Sequence, residues 1–361
     1  MRLHGTTYRL IGRAAFIGRA AFIGRAAFIG RAALSAILVS AVLTSCERRP
    51  LDDPDFNTSI NVKVSVEAIS NVTCDIYNDK IPVPKIDPDM MHVLFFEETG
   101  DALATEAYIS TKSTDSDGNT VFSGKLSIAP GTYRMYIYNF GTENTLIRNT
   151  YSWESAEAYA ANVPDRISRS YQTKVPAEEP ITYSPDHLVV ARSPREVIPY
   201  HSGIYTVKAE SRSVVESYYL QIKVDGIEYV SGARAVLSGM SGGNRIALGE
   251  RMDDQRTSIF FPLVKSDDKG VPVICCIFNT FGRPDDSLNS LEVTFDIVTK
   301  AGESIQKTFD ISELFRSEDC IKHHWLLLDE TIKIDPPKTP DPGGFNPSVG
   351  DWDEEHHEIE I

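Results

Sequence analysis

The sequence predicts an all-β protein, two β-sandwich domains in tandem with one or two short helices. Three observations carry this. Short segments alternate apolar and polar side chains with a period of two, the pattern of a strand with one buried face. Clusters of Gly, Pro, Asp and Asn separate these segments at regular spacing, which suits a sandwich better than an alternation of strands and helices. The chain has 361 residues, more than one core usually spans, so two domains are the expected number.

The N-terminal element reads as a leader that is removed. Arg13, Arg19, Arg25 and Arg31 supply positive charge, Ala32 to Leu43 supply an apolar run, and small residues precede the cut, which is the three-part pattern of a signal peptide. A membrane-spanning helix would need roughly 20 apolar residues. Leu43-Thr44-Ser45-Cys46 resembles the lipobox of bacterial lipoproteins, so residues 1–45 are expected to be a lipoprotein signal peptide and Cys46 the lipidated first residue of the mature chain. Covalent lipid on Cys46 is the one attached group expected, with no cofactor and no metal. A Gly-Arg-Ala-Ala-Phe-Ile repeat between Gly12 and Arg31 lengthens the charged region and is too short to build a solenoid.

The full chain carries 36 Lys and Arg against 51 Asp and Glu, and six of the Arg but none of the acids lie in residues 1–45. The mature chain therefore has 30 basic against 51 acidic residues, a formal net charge of −21. That balance argues against binding nucleic acid or an anionic lipid surface by charge, so any membrane attachment falls to the lipid.

Residues 46–57 are polar and broken by proline, and read as a tether. Ile60, Val62, Val64, Val66 and Ala68 then alternate with polar residues and open an N-terminal sandwich, residues 58–198. Met91–Glu97, Ala104–Thr111, Thr120–Ile128 and Thr132–Phe140 are its further strands. Ser152–Ala161 has high helical propensity behind a Ser cap and is expected to be a short helix. The proline-rich stretch from Pro164 to Pro199 marks the passage to a C-terminal sandwich, residues 199–335. Its strands are Gly203–Ala209, Ser217–Val224, Arg256–Val264, Val271–Asn279, Ser290–Thr299 and His324–Ile334, with Asp225-Gly226 as a hairpin turn signal. Residues 336–361 are a Pro/Gly linker and an acidic tail in which Ile359 and Ile361 alternate with Glu, the pattern of a strand donated to a sheet edge.

Few side chains suggest chemistry. Asp115-Ser-Asp-Gly-Asn119 resembles the start of a calcium loop but places Thr120 where glycine and Leu126 where glutamate would be needed, so a turn is expected. His323-His324 and His356-His357 are adjacent pairs whose side chains diverge on a strand. Cys275 and Cys276 would likewise face opposite sides, and no Cys-x-x-Cys suggests zinc or thiol redox work, the pairing state of Cys74, Cys275, Cys276 and Cys320 staying open. No nucleophile elbow, phosphate loop, zincin motif or dinucleotide fingerprint is present, so an enzyme is not expected. Asp286-Ser287-Leu288 resembles a short O-glycosylation acceptor. Tyr136, Tyr138 and Trp153 are candidates for stacking a sugar ring, Tyr136 and Tyr138 sharing one strand face while Tyr133 points to the core.

Several motifs resemble the fimbrillin-related lipoproteins of the Bacteroidales: the lipobox with Cys-Glu-Arg-Arg-Pro-Leu, Ala129 to Asn139 (Ala-Pro-Gly-Thr-Tyr-Arg-Met-Tyr-Ile-Tyr-Asn), Leu237-Ser-Gly-Met240, Phe309-Asp-Ile-Ser-Glu-Leu-Phe315 and Gly343-Gly-Phe-Asn-Pro347. Within that group the chain is similar to an uncharacterised domain family related to minor and anchor fimbrial subunits. The resemblance implies transthyretin-like sandwiches, an outer-membrane location at the cell surface, and fimbrial subunits or other surface proteins as partners. It also implies β-strand complementation, in which a subunit accepts an extended strand from its neighbour. Polymerising members are implied to lose an N-terminal strand at a basic residue. Here Arg48 and Arg49 precede the first strand, so a cut there would release the lipid and leave the strand, which favours an anchor or accessory subunit. The alternative is a glycan-binding lipoprotein accessory to polysaccharide uptake, which would show exposed aromatics beside polar groups.

Overall fold

Period-two alternation becomes strand after strand in the computed structural model, which describes residues 57–66, 86–284 and 290–337, all within one unit, Phe56–Ile361. The N-terminal part contains β1 (Thr58–Val66), β2 (Met90–Glu97), β3 (Leu103–Ile109), β4 (Thr111–Thr114), β5 (Thr120–Ile128), β6 (Gly131–Phe140), β7 (Thr145–Arg148) and β8 (Glu157–Ala160). Helix α1 (Asp165–Tyr171), β9 (Ile181–Tyr183), β10 (Val189–Ile198) and β11 (Ile204–Ser213) follow. The C-terminal part contains β12 (Glu216–Asp225), β13 (Val230–Ser241), β14 (Gly243–Arg245), β15 (Glu250–Arg251), β16 (Arg256–Asp268), β17 (Val271–Thr280), β18 (Glu292–Thr299), β19 (Ser304–Asp310), α2 (Glu318–His323) and β20 (Trp325–Lys333).

The first sheet runs β3-β2-β6-β10-β11-β1-β5-β4. β10 and β11 are joined only through Val189↔Ser213 and Val190↔Arg212, so the sheet folds over at that seam. Its halves close on Ile60, Val62, Val64 and Val66 of β1, Val93 and Phe95 of β2, Met135 and Ile137 of β6, and Val207 of β11. The second sheet runs β19-β18-β13-β16-β17-β12-β20. There β16 bends across, pairing with β13 through Arg256–Leu263 and with β17 through Val264–Asp268, and the halves enclose a core that includes Leu220, Ile222, Phe261, Phe278 and Phe295.

Strand pairing shows the two bodies to be one topology used twice. β1 lies between antiparallel β5 and parallel β11, and β12 lies between antiparallel β17 and parallel β20. β3 and β4, separated by Ser110, pair with β2 and β5 as the two halves of β16 pair with β13 and β17. The all-β class with two sandwich bodies is thus observed, with two short helices among the described residues.

Three local expectations change. Ser152–Ala161 is not a helix: Glu157–Ala160 forms β8, paired with β7 and β14, because alternation buries Ala156, Ala158 and Ala160 under a neighbouring sheet and that burial outweighs alanine's helical preference. The helix of this region lies later, at Asp165–Tyr171. Gly203–Ala209, expected to open the C-terminal sandwich, falls within β11 (Ile204–Ser213), which pairs with β1 and completes the first body, since Val207 fills its core. Asp225-Gly226 does turn the chain, with Gly226 at φ 83°, but β12 and β13 join different neighbours, so the turn crosses between layers and makes no hairpin.

Insertions bind the bodies together. β7 and β8, inserted between β6 and β10, form a small sheet with β14 and β15 from the connection between β13 and β16, in the order β15-β14-β8-β7. β9 adds itself in parallel to β16 through Ser258↔Ile181 to Phe260↔Tyr183. Tyr171 of α1 donates its hydroxyl to Asp296 at 2.7 Å, and Arg234 Nε and Ser304 donate to the same carboxylate at 2.9 and 2.5 Å. Residues 1–56, 67–85, 285–289 and 338–361 lie outside the described set, and with them the signal peptide, the tether, Cys46, Cys74, Asp286-Ser287-Leu288, His356-His357, Gly343 to Pro347, Ile359 and Ile361.

Candidate functional site

The aromatics expected to stack sugar are core residues. Tyr136, Tyr138 and Trp153 are 0%, 3% and 5% exposed, in a cluster with Leu94, Phe96 and Ala158. Phe96 and Trp153 lie 4.9 and 5.6 Å from the Tyr136 ring centre. Alternation placed Tyr133 on one face of β6 and Tyr136 and Tyr138 on the other, as expected, but the second face is covered too, by the small sheet. None of the three presents a ring to solvent.

That cover stops at one edge, and a different group of side chains stands there. Register aligns Tyr108 of β3, His92 of β2 and Tyr138 of β6 in a row across three strands. His92 is 4% exposed, with Nε2 2.9 Å from Glu106 Oε2 and Nδ1 2.8 Å from the Tyr138 hydroxyl. The carboxylate can only accept, so Nε2–H donates to Glu106; in the neutral ring Nδ1 then accepts from Tyr138. Burial pushes the His92 pKa down and outweighs the upward pull of the Glu106 hydrogen bond and charge, so the ring is neutral at pH 7. Tyr108 lies flat on this clamped ring, centroids 4.2 Å apart and planes 12° apart, and Phe140 meets Tyr108 at 5.1 Å and 65°. Tyr108 and Phe140 are 51% and 49% exposed.

These residues border a pocket of about 520 Å³ with Glu106, Thr142 and Leu146. A second pocket of about 390 Å³ shares Asn139, Phe140, Gly141 and Thr142 with it and adds Asp87, Asp89, Glu143, Asp186 and His187. Both ring nitrogens of His187 are buried without a hydrogen-bond partner. The sequence carries part of this signal, because alternation in Leu103–Ile109 puts Glu106 and Tyr108 on one face; that the face stays open depends on where β7 ends.

Other candidates resolve into structure. Asp115 Oδ1 accepts from the backbone N–H groups of Asp117 and Asn119, closing the turn with Gly118 at φ 87°. No cluster of metal-ligating side chains occurs among the described residues. His324 caps α2 at φ 56°, and His323 stacks on Trp325 at 4.4 Å. Cys276 and Cys275 face opposite sides of β17, in separate clusters, and Cys320 is the buried residue of α2, packed into the second body's core.

The position of β1 bears on the expected strand complementation. Ile60, Val62, Val64 and Val66 are 0% exposed, and both edges of the strand are paired over nearly their whole length. The chain's first described strand is therefore the central filling of a sheet. In the two large sheets the end strands among the described residues are β3 and β4 in the first and β19 and β20 in the second, each paired along one side.

Comparison with known proteins agrees with the resemblance to fimbrial proteins of the Bacteroidales. A Bacteroides ovatus protein named "Putative fimbrium anchoring subunit Fim4B" is 23% identical over 346 residues, covering 88% of this chain and 93% of the relative. The crystal structure of a "putative adhesin" from Bacteroides ovatus superposes with a TM-score of 0.55 at 20% identity, over 82% of this chain and 98% of that one, and so shares its fold. The fimbrial anchor protein Mfa2 of Porphyromonas gingivalis aligns over 75% of this chain and 88% of its own, with 10% identity and a TM-score of 0.43. The model of the family described as "Domain of unknown function (DUF5119)" matches residues 66–261, more than half of the sequence, and the chain belongs to that family.

Proposed function

We propose that this protein is a fimbrial surface subunit of the anchor or accessory kind, held at the outer membrane by lipid on Cys46 and joined to neighbouring subunits by an added β-strand. The observation that carries the reading is the alignment with a relative named for fimbrium anchoring, which extends over nearly the full length of both chains. The lipobox-like Leu43-Thr44-Ser45-Cys46 supports the lipid, and two or more acyl chains make such attachment stable.

The place of β1 supports the anchor kind. Arg48 and Arg49 lie ahead of Thr58, so proteolysis there leaves β1 in its sheet and the internal groove filled. A neighbour's strand must then add to an open sheet edge, where main-chain hydrogen bonds supply affinity and alternate side chains set register. The glycan-uptake reading gains nothing from Tyr136, Tyr138 and Trp153, because all three are buried.

Two measurements test the proposal. Cys46→Ala should move the protein from the membrane fraction to the soluble one, and continued retention would sink the lipid anchor. Affinity capture of the tagged wild-type protein from cells should bring down fimbrial subunits, and less of them after deletion of Val349 to Ile361. A capture without fimbrial subunits would refute the fimbrial role.

A further inference from the structure

The geometry points to a carbohydrate-binding subsite on the first body, in which Tyr108 and Phe140 hold the apolar face of a neutral sugar and Glu106 and Thr142 accept hydrogen bonds from its hydroxyls.

Preorganisation is the first argument. An exposed tyrosine on a sheet ordinarily exchanges rotamers and must be ordered by a ligand at some entropic cost. Tyr108 is instead backed at 4.2 Å by His92, whose two nitrogens are tied to Tyr138 and Glu106 at 2.8 and 2.9 Å. One ring face is occupied by that stack and the residue is still 51% exposed, so the other face is a fixed platform open to solvent. Phe140 stands beside the stack, 5.1 Å and 65° from Tyr108 and 6.0 Å and 76° from His92, so the two exposed rings are angled to each other and form no closed cage.

The rim supplies the polar half of the site. Glu106 keeps its carboxylate half exposed while holding His92. The Thr142 hydroxyl donates to the Thr145 carbonyl at 2.5 Å, so its oxygen is left as an acceptor. A rim of acceptors suits the hydroxyl donors of a sugar. Phe140 also lies between the two adjoining pockets, and Asp87, Asp89, Glu143 and Asp186 line the farther one. Lys112 pairs with Asp87 and Asp89 at 3.0 and 3.6 Å, but Glu143 and Asp186 keep the farther pocket net negative, so the subsite favours neutral sugars over anionic ones. A basic peptide is the competing occupant. It is disfavoured because two rings at 65° leave a flat apolar face open and do not surround a cation.

The test is a glycan array probed with the full mature chain, followed by calorimetric titration of the strongest neutral oligosaccharide. Tyr108→Ala, Phe140→Ala and Glu106→Gln should each weaken binding by about tenfold or more, the loss expected when a stacking or charged contact is removed. Tyr200→Ala is the control: it is 65% exposed and follows Ile198, which pairs with Gly131 at the opposite end of β6 from Phe140. Tyr108→Thr keeps strand propensity and replaces Tyr108→Ala if that variant fails to fold. Binding of a neutral glycan that falls with the three variants and not with Tyr200→Ala supports the subsite. No glycan bound, preference for anionic glycans, equal binding by all variants, or competition by an Arg- or Lys-rich peptide would each overturn it.

Discussion

Deleting Thr58–Val66 removes the strand that fills the first body, and the structure sets the size of the effect. Ile60, Val62, Val64 and Val66 are fully buried in a core shared by both halves of the sheet. At roughly 1.5–3 kcal/mol for each buried aliphatic side chain, the strand holds about 6–12 kcal/mol of apolar burial, as large as the ~5–15 kcal/mol that stabilises a whole domain. The deletion also strips one side from β5 and from β11. The shortened chain should therefore lose the first body's cooperative unfolding transition, read by near-ultraviolet circular dichroism in urea. A synthetic peptide of sequence TSINVKVSV, fluorescently labelled, should restore the transition and bind in the micromolar range or tighter, since ordering it costs part of the gross burial energy. If the shortened chain unfolds at the parent's urea midpoint and ignores the peptide, β1 is not a complementing strand and the reasoning from its position fails.

Two further substitutions address how the bodies are held. Asp296 is 1% exposed and accepts from Tyr171, Arg234 and Ser304, so Asp296→Ala should cost about 2–4 kcal/mol in urea unfolding, less than for a fully buried pair because Arg234 can rehydrate. Burial alone would raise the Asp296 pKa, but hydrogen bonds from Ser304, Tyr171 and Arg234 and the guanidinium charge hold it below the ordinary carboxylate range. Its contribution is therefore complete above about pH 4 and lost as pH falls through the folded value, and the wild type should converge on Asp296→Ala in acid and stay apart at pH 7. At Gly226, φ 83° and a Cβ position 2.2 Å from the Ile334 carbonyl oxygen leave no room for a side chain. Gly226→Ala should destabilise the second body by about 2 kcal/mol or more in the same assay, and an unchanged midpoint would contradict the close approach of the β12–β13 turn to the end of β20.

Strand positions were legible because alternation is a local property. Thr120–Ile128 is observed as read, and the strands beginning near Met91, Thr132, Ser217 and Val271 shift by a residue or two. The opposed faces of Cys275 and Cys276, and of Tyr133 and Tyr136, follow from the same two-residue period. What alternation cannot report is whether the second face of a strand is covered. Alternation leaves one face of β6 to solvent, yet an insertion from its own body and a connection from the other one meet over it.

The same limit explains the helix that is absent from Ser152–Ala161. Its alanines favour a helix in isolation, and only the arrival of β14, more than eighty residues later in the chain, makes an extended conformation better. β11 went to the wrong body for a related reason: proline-rich sequence before it marks a break in regular structure but does not say which sheet the next strand joins.

Sequence alone established the all-β class, the two-body scale and most strand positions, since each is written in residue spacing. The assignment of strands to bodies, the burial of Tyr136, Tyr138 and Trp153, and the exposed corner at Tyr108 and Phe140 came from pairing and cover between segments far apart in the chain. Those depend on which surfaces meet after collapse, and no local pattern encodes that.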